Sequence, residues 1–134
     1  MELTKAQSTI ASDLHRFRVV CCGRRFGKTT LAIEEIKGRA IYRGGSKIAY
    51  IAPTYQQARD IAWDLLKKEF ALAGASINES RLELKLLGTN KQESLIVLRG
   101  WESVETLRGQ GFDFVIIDEV AMMRNFLVSW EEVI

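Results

Sequence analysis

The sequence is poor in the residues that build disulfide frameworks, metal clusters and linkers. Its only two cysteines, Cys21 and Cys22, are adjacent, so they cannot form an ordinary structural disulfide, and their spacing fits no metal site. This usage indicates a reducing compartment. The single proline, Pro53, excludes a proline-rich linker. No apolar run approaches the roughly 18 residues that a membrane-spanning helix needs.

The remaining composition is that of one folded domain. The chain has 134 residues, of which 47% are hydrophobic and 27% charged. The net charge of +2 is unevenly distributed: residues 1–50 carry ten basic and four acidic residues, whereas residues 101–134 carry two and seven. A basic first third suits an anionic ligand, although a mixture of solvated faces explains the same numbers.

Strand and helix patterns alternate along the chain. Apolar or alternating runs predict strands at Phe17–Cys22, Lys47–Ala52, Arg81–Leu87, Glu93–Arg99 and Phe112–Asp118. Helical periodicity predicts helices over Lys28–Lys37, after a capping box at Thr54–Gln57, and from Asn125 onward. This alternation indicates an α/β fold of the P-loop NTPase type, with a mainly parallel sheet, flanking helices and a β-hairpin insertion.

The stretch from Cys22 to Thr30 nearly matches a phosphate-binding loop. The usual pattern is G-x-x-x-x-G-K-[ST], and Cys22 stands where the first glycine belongs. In a strand–turn–helix context, Gly27 would allow close backbone approach, Lys28 would contact the β- and γ-phosphates, and the Thr29 hydroxyl would bind Mg²⁺. The alternative is an ordinary strand-to-helix turn with a lysine at the helix start.

Two adjacent carboxylates, Asp118 and Glu119, follow the last predicted strand. In phosphate-loop ATPases the first acid at such a strand end holds Mg²⁺ and the second polarises the attacking water. Alone, the pair could be an exposed strand end. Together with the lysine loop it favours an ATP-driven motor over a GTPase-like switch.

Four segments, taken in order, resemble the large terminase subunit of tailed bacteriophages, a DNA-packaging motor with an additional-strand catalytic-Glu ATPase fold. They are Gly23–Thr29, Tyr50–Tyr55, Leu107–Gly109 and Ile116–Glu119. The resemblance runs from about Leu3 to Trp130. Because the loop of that family often lacks the first glycine and carries an arginine, Cys22 is no departure from the family pattern.

The resemblance implies roles for individual residues. Lys28 and Thr29 would bind phosphate and Mg²⁺, Asp118 would be the metal-binding carboxylate, and Glu119 the catalytic base. Gln7 would read adenine, although a surface helix glutamine is the alternative. The implied ATP-binding set is Gln7, Gly23, Arg24, Arg25, Phe26, Gly27, Lys28, Thr29 and Thr30.

Two arginines are candidates for contacts with transition-state charge. Arg24 could sense the γ-phosphate, or it could form a supporting salt bridge or lie in solvent. Arg108 lies in a glycine-rich turn and could act as an arginine finger in the site of a neighbouring subunit. Its alternatives are a loop charge or a DNA contact.

The resemblance also implies cofactors and partners. ATP and Mg²⁺ are the expected cofactors, and double-stranded DNA, the portal protein and the small terminase subunit are the expected partners. Copies of the protein would form a ring, expected to be a pentamer, at the portal vertex of the procapsid in the host cytoplasm, away from any membrane.

Residues 1–134 would be the N-terminal portion of the terminase ATPase domain, with the coupling motif and the C-terminal nuclease domain absent. Two other functions remain open from the sequence. One is a helicase-type P-loop ATPase, which shares the loop and the Asp-Glu pair. The other is a fragment without catalysis that binds nucleotide or forms oligomers.

Overall fold

A computed structural model describes residues 2–21, 27–123 and 125–133. Its α-helices are α1 (Lys5–Ala11), α2 (Lys28–Lys37), α3 (Tyr55–Ala58), α4 (Asp64–Ala71) and α5 (Phe126–Val133). Its strands are β1 (Lys47–Ala52), β2 (Ser76–Asn78), β3 (Glu83–Leu87), β4 (Glu93–Gly100) and β5 (Phe114–Ile117). Turns of π-helix follow α2 (Gly38–Arg43) and join α3 to α4 (Arg59–Trp63), and short 3₁₀ helices cover Trp101–Leu107 and Val120–Met122.

The five strands form one sheet in the order β2-β3-β4-β1-β5. β1 is parallel to both β4 and β5, whereas β2, β3 and β4 pair antiparallel. The predicted α/β architecture and the hairpin are therefore confirmed. Among the described residues the sheet is mixed, with two parallel and two antiparallel pairings, since the strand predicted at Phe17–Cys22 adds no parallel pair.

The sheet has an apolar core on each face, because the side chains of buried β1 alternate between the faces. Ile48, Tyr50 and Ala52 pack with α2 and the helical run that begins at α3. Ala49 and Ile51 pack on the other face beside the 3₁₀ helix Trp101–Leu107. On this second face the ring of Phe126 in α5 stacks on Trp101 at 4.9 Å.

The predicted helix after Pro53 forms as one run through α3, the π-turn and α4. Thr54 caps its start by accepting the Gln57 N–H at 3.1 Å. In a capping box the Gln57 side chain would also accept the backbone N–H of Thr54. Here it accepts from the Thr54 hydroxyl instead, at 3.2 Å. The predicted apolar face is confirmed by the burial of Ala58, Ala62 and Leu66.

The buried strand predicted over Phe17–Cys22 is wrong for its described part, residues 17–21, which form no strand. Val19 is 97% exposed and Phe17 65% exposed. A strand needs a neighbour for its backbone hydrogen bonds, and residues 17–21 take part in none of the strand pairings among the described residues. This segment is held instead by Arg18, which donates to the Ile10 carbonyl at 2.8 Å and pairs with Glu35 at 2.7 Å.

The strand predicted at Phe112–Asp118 is shorter and less buried than expected. β5 covers only Phe114–Ile117, and all four of its residues are half-buried. In the described parts of the chain, β5 has a neighbour on one edge only.

No helix within the described parts of the chain is long and apolar enough to cross a membrane.

From the close packing between β4 and α3 we predict that replacing two different glycines by alanine will change the stability of the protein by different amounts. A Cβ on Gly100 would lie 2.7 Å from the carbonyl carbon of Thr54 and closer still to the Tyr55 nitrogen, whereas one on Gly38 would meet nothing within 4 Å. We expect Gly100→Ala to lower the free energy of unfolding by about 1–3 kcal/mol, the usual cost of overpacking. Urea unfolding of the purified chain measures this change.

Gly38→Ala is the matched control, because Gly38 has helical dihedral angles and open space around it. It should leave the urea midpoint unchanged or raise it slightly. Equal midpoints for the two variants would contradict the close packing of Gly100 against the start of α3.

Candidate active site

Gly27 positions the start of α2. It is the N-cap of this helix and has a left-handed backbone (φ 85°, ψ 42°) that favours glycine. Lys28, Thr29 and Thr30 form the first turn and are half-buried. The first amides of a helix lack intrahelical partners and carry positive potential, so this turn suits an anion.

Four predicted loop residues, Gly23, Arg24, Arg25 and Phe26, lie outside the residues that the structure describes, as does Cys22. Their predicted contacts with nucleotide stay predictions. Gly27, Lys28, Thr29 and Thr30 are therefore the part of the loop whose placement can be related to the rest of the site.

The two carboxylates lie at the carboxyl-terminal edge of the parallel strands. Asp118 continues β5 for one residue and donates its N–H to the Ile51 carbonyl at 2.9 Å. Glu119 then adopts a left-handed conformation (φ 56°, ψ 46°), which is uncommon outside glycine and which turns the chain into the 3₁₀ helix Val120–Met122. Because of this change of direction, the extended backbone of β5 does not continue through Glu119.

The structure brings the lysine of the loop to the second carboxylate. Lys28 Nζ lies 3.9 Å from Glu119 Oε1, and the two side chains are 38% and 46% exposed. Such an exposed pair contributes little to stability. Its value is positional, because it places a cation and a carboxylate from separate elements beside the start of α2.

Asp118 is held by Tyr50, which begins one of the segments that resemble the family but to which the sequence patterns gave no role. Tyr50 of β1 is 1% exposed and donates its hydroxyl to Asp118 Oδ2 at 2.7 Å. Burial raises the pKa of Tyr50 far above its ordinary value, and the hydrogen bond to Asp118 raises it further. The tyrosine therefore remains a protonated donor. A signal was present, since a tyrosine within a buried apolar strand needs an acceptor for its hydroxyl.

The oxygen ligands available here fit Mg²⁺. This cation takes one or two carboxylates and completes its shell with water and substrate phosphate oxygens. The Asp118 carboxylate and the Thr29 hydroxyl are ligands of that type. No cluster of three or more acidic, histidine or cysteine side chains suited to a metal occurs among the described residues, so nothing in them resembles an all-protein cage.

Gln7 lies against the loop. It is 3% exposed, its Oε1 accepts the Thr4 N–H at 2.7 Å, and its Nε2 donates to the Gly27 carbonyl at 3.0 Å. With Thr4 it forms a complete capping box at the start of α1. The surface position weighed for Gln7 is thus wrong, and its amide connects α1 to the N-cap of α2.

Arg108 lies in the exposed turn that the sequence predicted. It follows the 3₁₀ helix Trp101–Leu107, and its side chain is 50% exposed. Its Nε and one terminal nitrogen donate to Glu105 Oε2 at 3.1 and 2.9 Å. Gly109 and Gly111 both have positive φ, which shapes the turn.

Comparison with solved structures first defines the class. The large terminase ATPase domain of Thermus phage P74-26 matches with a TM-score of 0.85 at 28% identity, covering 98% of this chain and 58% of that one. The large terminase of another thermophilic bacteriophage, in complex with ADP, gives 0.61 at 19% identity, over 81% of this chain and 28% of that one. The fold is that of a terminase ATPase domain, as predicted.

Sequence comparison then gives the family. Residues 20–131 match the family described as terminase large subunit, T4likevirus-type, N-terminal. The large subunit of the terminase of Thermus virus P23-45 is 35% identical over 96% of this chain. The chain belongs to the terminase large subunit family, as its motifs predicted. It spans 29% of the length of that viral relative.

Proposed function

We propose that this chain is the ATP-binding part of a viral DNA-packaging motor, which hydrolyses ATP with Mg²⁺ to translocate double-stranded DNA into a procapsid. The approach of Lys28 to Glu119 at the start of α2 is the observation that carries the proposal. The family match and the likeness to a terminase ATPase domain support it. They favour a terminase over the helicase-type alternative.

The proposed chemistry is positioning and charge neutralisation. The first turn of α2 and Lys28 bind the β- and γ-phosphates, and Glu119 orients a water for in-line attack on the γ-phosphate. Thr29 and Asp118 hold Mg²⁺, which neutralises charge on the phosphate oxygens when bound. Arg24 is proposed to lie near the γ-phosphate, from its position in the loop sequence.

The wider assembly is likewise proposed from family membership. Residues 1–134 would be the N-terminal portion of the ATPase domain, in a protein that acts at the procapsid portal in the host cytoplasm. There it would form a pentameric ring and work with the portal protein and the small terminase subunit. In that ring the half-exposed Arg108 would contact a neighbouring copy, a role that comes from the family resemblance.

Replacing Glu119 tests the proposed hydrolysis. Glu119→Gln in the purified protein should keep ATP binding and lose about 10²–10⁴-fold in turnover, because the amide cannot accept a proton from water.

Replacing Lys28 tests the proposed phosphate contact. Lys28→Ala should weaken ATP binding about 10–100-fold, since a charge-assisted contact is lost. Calorimetry measures binding and phosphate release measures turnover.

Glu93→Gln is the matched control for Glu119→Gln. It makes the same chemical change at an exposed residue that begins β4. Because β4 runs parallel to β1 and β5, Glu93 lies at the end of these strands opposite to Glu119. It should retain full turnover. Unchanged phosphate release by Glu119→Gln would overturn the assignment of the base, and unchanged ATP affinity in Lys28→Ala would remove the phosphate loop.

The position of Gln7 predicts a loss of affinity that ignores the base of the nucleotide. Gln7→Glu keeps the size of the side chain but removes the N–H donated to Gly27, so affinity for ATP should fall about 3–10-fold. GTP binding should fall by the same factor, because the lost contact is to the loop. Titration with fluorescent ATP and GTP analogues measures both.

The implied adenine-reading role makes the opposite prediction for Gln7. If the side chain reads the base, Gln7→Glu should lower the affinity for ATP and leave weaker GTP binding unchanged. A changed ATP-to-GTP ratio would therefore contradict loop anchoring as the main role of Gln7.

Mixing variants tests Arg108 as a finger between subunits. Arg108→Ala should lower turnover about 10³–10⁵-fold without weakening ATP binding. Equimolar mixing with Lys28→Ala should restore part of the activity, because each inactive copy then supplies what the other lacks. Arg81→Ala is the matched control, since Arg81 is 70% exposed on the hairpin side of the sheet. Its turnover should match the unaltered protein, and absence of rescue on mixing would contradict action between copies.

A further inference from the structure

Tyr50 is a buried polar residue to which the proposed mechanism gives no role. It lies in β1, between β4 and β5, and is in register with Ile116 of β5. Residues in register on parallel strands point to the same face, and Asp118 is two residues beyond Ile116. Tyr50 and Asp118 therefore share a face. The tyrosine hydroxyl donates to Asp118 Oδ2, just past the end of β5, at 2.7 Å.

The hydroxyl is the one part of Tyr50 that core packing does not require. Its ring packs within the apolar cluster between the sheet and the helices, together with Ile36, Ile48 and Ala62. Phenylalanine would fill the same space, and it would avoid burying a hydroxyl that needs a partner. A tyrosine at this position makes sense through what its hydroxyl bonds, which is the half-buried Asp118.

The hydrogen bond from Tyr50 restricts the rotation of the Asp118 carboxylate, which suits a metal ligand. Asp118 is fixed at its backbone by the bond to Ile51 and at one side-chain oxygen by Tyr50. A carboxylate with one oxygen bonded has less freedom to rotate, so its orientation is set before a cation arrives. Partners of this kind orient metal ligands, and their loss typically costs about 10–100-fold in metal affinity or activity.

We propose that Tyr50 is a positioning residue that holds the Asp118 carboxylate in the orientation needed to bind the divalent cation beside the first turn of α2. The inference rests on the proposed function, because it takes Asp118 as a ligand of that cation. It extends the site into the core of the sheet. A core residue of β1 then affects the metal without touching it.

Manganese binding in Tyr50→Phe tests the proposal independently of turnover. Mn²⁺ stands in for Mg²⁺, and electron paramagnetic resonance measures its affinity for the purified protein with saturating ADP. Tyr50→Phe should weaken Mn²⁺ binding about 10-fold or more. Affinity for ADP in EDTA should not change, because the phosphate contacts remain.

Tyr55→Phe is the matched control. It removes a tyrosine hydroxyl that donates to the Ser80 carbonyl at 3.2 Å, away from Asp118. Its Mn²⁺ affinity should equal that of the unaltered protein. Thermal unfolding of both variants establishes that they are folded. If the role of Tyr50 were purely structural, Tyr50→Phe would lower the unfolding temperature and leave the Mn²⁺ affinity unchanged.

The possible failures are distinguishable. Wild-type Mn²⁺ affinity in folded Tyr50→Phe would overturn the positioning role and leave the proposed function intact. Absence of ADP-dependent Mn²⁺ binding in the unaltered protein would overturn the proposed metal site and, with it, the role of Tyr50. If Tyr50→Phe lost ADP affinity in EDTA as well, the hydroxyl would support the loop generally, and the specific positioning role would be wrong.

Discussion

The placement of β1 between β4 and β5 is the constraint on which the rest of the structure depends. Because β1 is parallel to both neighbours, their carboxyl ends meet at one edge of the sheet, and Asp118 continues from β5 at that edge. The burial of β1 on both faces fixes this register, since a slip by one residue would exchange its two core faces. The same strand supplies the hydroxyl that bonds Asp118.

Sequence patterns predicted the elements that carry their own periodicity. Lys47–Ala52 and Lys28–Lys37 form with the predicted bounds, and the alternation of Leu82, Leu84 and Leu86 buries the predicted side of the hairpin. The strand at Phe17–Cys22 was wrong in its described part because apolar content alone does not supply a neighbouring strand. A strand depends on pairing partners that local sequence does not reveal.

The site was predictable in its chemistry and less so in its connections. Lys28 and Glu119 were identified from motifs, and the structure brings them together. The left-handed turn at Glu119 and the bond from Gln7 to Gly27 could not be read from spacing, because both depend on tertiary contacts. Tyr50 lies within an apolar run, and the acceptor of its hydroxyl could be identified only once the register of β1 and β5 was known.

The central claim is that Lys28, Asp118 and Glu119 surround the terminal phosphates of one bound ATP. A crystal structure of the purified protein with Mg²⁺ and a non-hydrolysable ATP analogue tests it most directly. We expect the γ-phosphate beside the start of α2, in contact with Lys28 and facing Glu119, with the cation on the Asp118 side. An analogue bound elsewhere, or bound here with Glu119 turned away from the γ-phosphate, would contradict the account.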